Sequence, residues 1–202
     1  MTATAGGVSL AWDRCPSATR RGTVLMLPGR AYTCEMPLLA WATRVLQGAG
    51  WTVFHARWAL PSLPERPRDV VEGVLREFEA VHKEAGPVLV VAKSLGTLAA
   101  HRAAERRYPA IWLTPVLRAT GLHPLAAESE ALASRLRDYP GPNLVVGGTA
   151  DDLWLSGFRG TGTVVELPDA DHGLEAADWQ TSFRNHERAL LAVQRFVTAL
   201  PE

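Results

Sequence analysis

Cysteine is scarce in this sequence: Cys15 and Cys34 are the only two among 202 residues. Two thiols at that separation suggest neither a disulfide framework nor a zinc site, and they point to a reducing cytoplasm. An excess of charge of either sign is also missing, because Lys+Arg and Asp+Glu number 21 each. No net field therefore draws in nucleic acid or an anionic membrane surface. Residues 1–14 lack an apolar core of signal-peptide length, and no later run is long enough for a bilayer. Phosphate-cradling glycine loops, dinucleotide fingerprints and metal-ligand groupings do not occur, so no cofactor and no metal is expected. Without repeats, low-complexity segments or a linker, the chain reads as one domain.

What remains is a regular alternation of two kinds of segment. Residues 7–13 alternate loosely and suggest an edge strand before a turn at Pro16-Ser17. Apolar, β-branched runs at 23–27, 51–56, 88–92, 110–114, 143–148 and 162–167 read as buried strands. Between them lie helical periods. Met36, Leu39, Ala42 or Thr43, and Leu46 share one face, and Val70, Val71, Val74, Leu75, Phe78 and Val81 share another. A helix follows residue 94 to about Arg107 and carries Leu98 inward, and a last helix near 186–199 carries Leu190, Val193, Phe196 and Val197. Residues 118–140 read as an irregular, partly helical excursion. Strands alternating with helices predict the α/β class: a mostly parallel twisted sheet with helices on both faces.

The most informative stretch is Val88-Leu89-Val90-Val91-Ala92-Lys93-Ser94-Leu95-Gly96. A strand turning sharply into a helix strains its pivot residue and leaves room only for small neighbours two positions away. Ala92 and Gly96 occupy those positions around Ser94. The turn lifts the serine oxygen above the sheet and sets the Leu95 N–H at a helix N-terminus, where an oxyanion is stabilised. Taken alone, the pattern also fits a serine that caps a helix. Lys93 reads as exposed or locally paired.

The A-x-S-x-G stretch resembles the nucleophile elbow of the α/β-hydrolase superfamily, with Ala92 in place of the first glycine. Two later segments extend the resemblance. Gly148-Thr149-Ala150-Asp151-Asp152 is similar to the acid loop of that superfamily, and Asp169-Ala170-Asp171-His172-Gly173 to its histidine loop. Each follows a strand, in the order serine, acid, histidine. The resemblance implies Ser94 as nucleophile, His172 as base and Asp151 as the acid, with Asp152 the alternative. Asp171 is expected to point away or to cap the following turn. Pro28-Gly29-Arg30-Ala31 is similar to the segment that supplies a second oxyanion donor, which implies the backbone N–H groups of Arg30 and Leu95. Tyr32, Trp58 and Trp154 follow strands or these loops and are candidate substrate contacts. His123 is a further candidate, whereas His55, His82, His101 and His186 fit structural roles.

The superfamily implies the α/β-hydrolase fold with a minimal lid, the 118–140 excursion being its only candidate. It also implies a serine hydrolase for a small carboxylic ester or thioester. Acyl transfer, or ligand binding without turnover, is the alternative, because the fold hosts both.

Overall fold

The computed structural model describes residues 2–5, 8–19, 21–60, 62–82 and 86–201. Its frame is set by the apolar runs. Gly22–Leu27 (β3), Val88–Lys93 (β5), Ala110–Leu113 (β6) and Asn143–Gly148 (β7) are buried almost throughout, as strands covered on both faces must be. Trp51–Trp58 (β4), Thr163–Leu167 (β8), Val8–Cys15 (β2) and Thr2–Ala5 (β1) complete one eight-stranded sheet in the order β1-β2-β4-β3-β5-β6-β7-β8. The strands from β4 across to β8 pair in parallel, while β1 and β2 join antiparallel.

Successive side chains of a strand point to opposite faces, and that alternation builds two cores. Leu25, Leu27, Val90, Ala92, Trp112 and Val145 face one way. They pack under Pro67–Val81 (α2), the helical turn and short helix after Ser94, and Leu125–Arg137 (α4). Val24, Met26, Leu89, Val91, Ile111 and Val146 face the other way, under Pro37–Gly48 (α1) and Trp179–Ala199 (α5). Ser94–Ala99 winds as a 3₁₀ turn that runs into Ala100–Glu105 (α3), with Leu98 buried.

Several expectations shift. The strand expected over 7–13 is β2, with Gly7 outside the described residues, and it is not an edge: β1 pairs along its far side. Met36 and Val81 leave their predicted buried faces. Pro37 opens α1, so Met36 precedes the first turn, and Val81 closes the last turn of α2. The final helix begins earlier than predicted, where the Asp178 carboxylate accepts the Thr181 N–H at 2.8 Å and caps it. The 118–140 excursion is chiefly α4. It buries Leu132, Ala133 and Leu136 in the core, so it is an integral helix whose first residue, Leu125, reaches the cavity described below.

Candidate active site

Ser94 terminates β5 with φ of 52°, a left-handed conformation that an L-residue adopts only at a cost of about 1–3 kcal/mol. The sharp turn works because of what stands two residues on. A methyl at Gly96 would lie 2.7 Å from the carbonyl oxygens of both Leu27 and Pro28, so only glycine lets the turn seat against β3. Ala92 has no such conflict: its methyl packs in the core beneath the turn. The segment after β3 comes close in turn, since a side chain on Gly29 would begin 3.3 Å from the Ser94 Cβ.

The two loops after β7 and β8 are laced together by one backbone bond and one bond from backbone to side chain. Ala150 N–H donates to the Ala170 carbonyl at 3.0 Å, and Asp169 N–H to the Thr149 hydroxyl at 2.8 Å. That lacing brings Asp151 and His172 to the elbow. The His172 imidazole lies with Nε2 2.8 Å from Ser94 Oγ and Nδ1 2.8 Å from Asp151 Oδ2. Asp151 is buried, and its other oxygen accepts the Leu153 N–H at 2.8 Å. Each oxygen of the carboxylate therefore holds a partner, which fixes its orientation toward the ring. Asp152 is exposed and its carbonyl accepts from Arg118. Asp171 turns away from the ring, accepting the N–H groups of Gly173 and Glu175.

A cavity of about 350 Å³ opens at this point, with Ser94, Leu95, Arg30, Tyr32, His172 and Leu125 among its walls. Leu95 and Arg30 both line this cavity together with Ser94. Chemically, the arrangement can move the hydroxyl proton to the imidazole while the buried carboxylate holds the ring.

The three candidate aromatic contacts part company. Tyr32 lines the cavity, and its hydroxyl accepts the Leu38 N–H at 3.0 Å. Trp58 lies behind the segment after β3, donating its indole N–H to the Gly29 carbonyl at 3.0 Å, where it braces that segment instead of lining the Ser94 cavity. Trp154 departs from expectation: it is buried, donates to Glu166 at 2.6 Å and packs on Phe158, away from the cavity walls. His123 is exposed and also outside those walls. His55 is a buried partner of Thr43 at 2.8 Å. Burial raises both thiols, Cys15 and Cys34, which disfavours their thiolate forms.

Lys93 departs from the exposure expected of a lysine. Of the two alternatives, exposed or locally paired, exposure fails: Lys93 is 1% exposed, and its ammonium is bonded to Thr114 and the His172 carbonyl. Strand alternation explains this: Lys93 follows Leu89 and Val91 on their side of the sheet, whereas Ser94 is already past the pivot. Burial lowers its ammonium to about 8, an effect that the carboxylates of Asp151 and Asp171 oppose. The consequence for stability has a definite sign. Between about pH 8 and 10.5 the unfolded chain holds this proton and the folded chain has released it, so folding becomes more favourable as pH rises. The stability of the wild type relative to Lys93→Met is therefore flat below pH 8 and rises by about 3 kcal/mol up to pH 10.5, as urea titrations across that range would measure.

No protein-family model matches the sequence, and no curated protein matches it. Solved structures do. The ferulic-acid complex of Est1E from Butyrivibrio proteoclasticus superposes with a TM-score of 0.76 at 14% identity, over 98% of each chain. A dienelactone hydrolase from Anabaena variabilis gives 0.71 at 18% identity, over 100% of this chain and 97% of its own. A Xanthomonas campestris protein described as an α/β serine hydrolase without a lid gives 0.60 at 19% identity, over 100% and 96%. The chain has the α/β-hydrolase fold. Among the described residues, no helix is long and apolar enough to cross a membrane.

Proposed function

We propose that this chain is a serine hydrolase that cleaves small carboxylic esters or thioesters through an acyl-enzyme. One observation carries the reading: Ser94 Oγ, the His172 ring and the buried Asp151 carboxylate form a continuous line of 2.8 Å contacts at the wall of a cavity. Ser94 Oγ attacks the substrate carbonyl carbon as its proton passes to His172 Nε2. Asp151 holds the tautomer with Nδ1–H and offsets the imidazolium charge. The backbone N–H groups of Leu95 and Arg30 receive the oxyanion. Collapse breaks the bond to the alcohol or thiol, which leaves with the proton from His172. Water then repeats the sequence on the acyl-enzyme and releases the carboxylic acid. An acceptor other than water in that second half would make the same site an acyltransferase.

The cavity volume of about 350 Å³ suits a modest soluble substrate, with Tyr32 in contact with it. Free thiols at Cys15 and Cys34 fit a cytoplasmic protein, and the balanced charge fits one without a nucleic-acid or anionic-membrane partner. A panel of nitrophenyl esters and acyl thioesters tests the reading, with Arg30→Ala beside the wild type. Turnover of at least one class is expected, and Arg30→Ala keeps it within about threefold, because its contribution is a backbone N–H that the substitution leaves in place. A loss of a hundredfold or more in kcat would instead assign the Arg30 side chain to the substrate. Folded protein that turns over no substrate of either class and binds a small ligand without product would replace the hydrolase reading with a binding one.

A further inference from the structure

Lys93 has no part in the steps above, yet it is a buried cation next to the nucleophile, a placement that costs stability and calls for a reason. Its three N–H directions are all occupied. Nζ donates to the Thr114 hydroxyl at 2.8 Å and to the His172 backbone carbonyl at 2.8 Å, and it faces the Tyr32 ring 4.4 Å from the centroid. Thr114 follows β6 and is held at φ of 41°, a second strained residue in the same few ångströms. Strain and buried charge together are what folded chains retain where function needs them.

The backbone bond from Ala150 N–H to the Ala170 carbonyl ties the histidine loop to the acid loop after β7, not to the strand before Ser94. The carboxylate of Asp151 grips the ring from one side, and Asp171 stabilises the turn beyond it. Neither ties the His172 backbone to β5, the strand that carries Ser94. Lys93 does. We propose that Lys93 is a positioning residue that locks the His172 main chain to the elbow strand, with Thr114 and Tyr32 as the walls that aim its ammonium. The ring is then anchored at both ends, through its backbone by Lys93 and through Nδ1 by Asp151, and the 2.8 Å approach of Nε2 to Ser94 follows from the two anchors together. The inference rests on the proposed role of His172 as base to Ser94.

The test compares wild type, Lys93→Met and Thr114→Val by two readouts. One is the rate of labelling by a fluorophosphonate, and the other is the low-field proton resonance of the His172 Nδ1–H, assigned by its loss in His172→Gln. Methionine keeps the length of the side chain without its donors. Lys93→Met is expected to lower the labelling rate by about 10- to 100-fold, the effect of a misaligned base, and to broaden or shift the resonance. Thr114→Val, in which the ammonium loses one of its two oxygen partners, is expected to change both readouts in the same direction by less. Labelling within twofold of wild type together with an unmoved resonance in Lys93→Met overturns the proposal. Should Lys93→Met not fold, the same two criteria apply to Thr114→Val. Failure of the hydrolase reading looks different: wild type itself is not labelled. The resonance then decides alone whether Lys93 positions His172.

Discussion

Ser94→Ala is expected to abolish turnover of any ester or thioester that the wild type hydrolyses, by about 10⁴- to 10⁶-fold in kcat. The magnitude follows from what the hydroxyl does. It forms the covalent bond, so without it His172 can only activate water, at a distance set for a different atom. The cavity walls and the N–H groups of Leu95 and Arg30 stay in place, so substrate binding survives and residual catalysis above the uncatalysed rate remains. KM should therefore change little while kcat collapses. The substitution is also expected to relieve little strain: φ of 52° is imposed by the turn between β5 and the helix, and alanine inherits it. Steady-state kinetics on the best substrate of the panel gives the comparison. A raised KM with kcat nearly unchanged would mean that Ser94 binds substrate without attacking it.

Asp151→Asn and Asp152→Asn are expected to separate by about three orders of magnitude. Asp151 is buried, touches the imidazole at 2.8 Å and uses its other oxygen on Leu153 N–H. An amide there presents either a donor or an oxygen of weaker charge to Nδ1. The histidine then turns to the tautomer that cannot accept the serine proton, and the imidazolium loses its counter-charge. A loss of about 10³- to 10⁴-fold in kcat follows. Asp152 is exposed, and its partner Arg118 binds its backbone carbonyl, which asparagine retains. Asp152→Asn is expected to stay within about threefold of wild type, as for an ordinary surface substitution away from the site. The reverse ranking, read from the same assay, would move the acid to Asp152 and require the loop after β7 to rearrange in solution.

The elements that place the site were readable because they obey short-range rules. A continuous apolar run must be buried on both faces, and a tiny residue two places after a serine at the end of such a run signals the sharp turn. Asp151 and His172 rest instead on the resemblance of the segments after β7 and β8 to the acid and histidine loops of the α/β-hydrolase superfamily. Choosing between Asp151 and Asp152 took three dimensions, because consecutive residues in a loop point in directions that backbone bonds such as Ala150 N–H to Ala170 O decide. Lys93 departs from the expected exposure for a related reason. Charge predicts exposure on average, but alternation along β5 carries its side chain under the histidine loop, where Thr114 and the His172 carbonyl, 21 and 79 residues away, satisfy it. Trp58 and Trp154 both follow strands or loops of the site, and nothing local distinguishes one that braces Gly29 from one that packs on Phe158. β1 went unseen because Thr-Ala-Thr-Ala has too little apolar content to signal a strand, and pairing along β2 supplies what its composition does not. The resemblance made segment 118–140 the candidate lid; Leu132 and Leu136, four residues apart on α4, pack that helix into the core, while Leu125 at its start lines the cavity.

The central claim is that Ser94 is an activated nucleophile, and a fluorophosphonate probe tests it without knowledge of the substrate. The purified protein would be treated with the probe, digested, and the adduct located by mass spectrometry, with Ser94→Ala treated in parallel. A single adduct on the peptide bearing Ser94, absent from the variant, is the predicted result. Folded wild-type protein that forms no adduct, or forms it equally in the variant, would contradict the account.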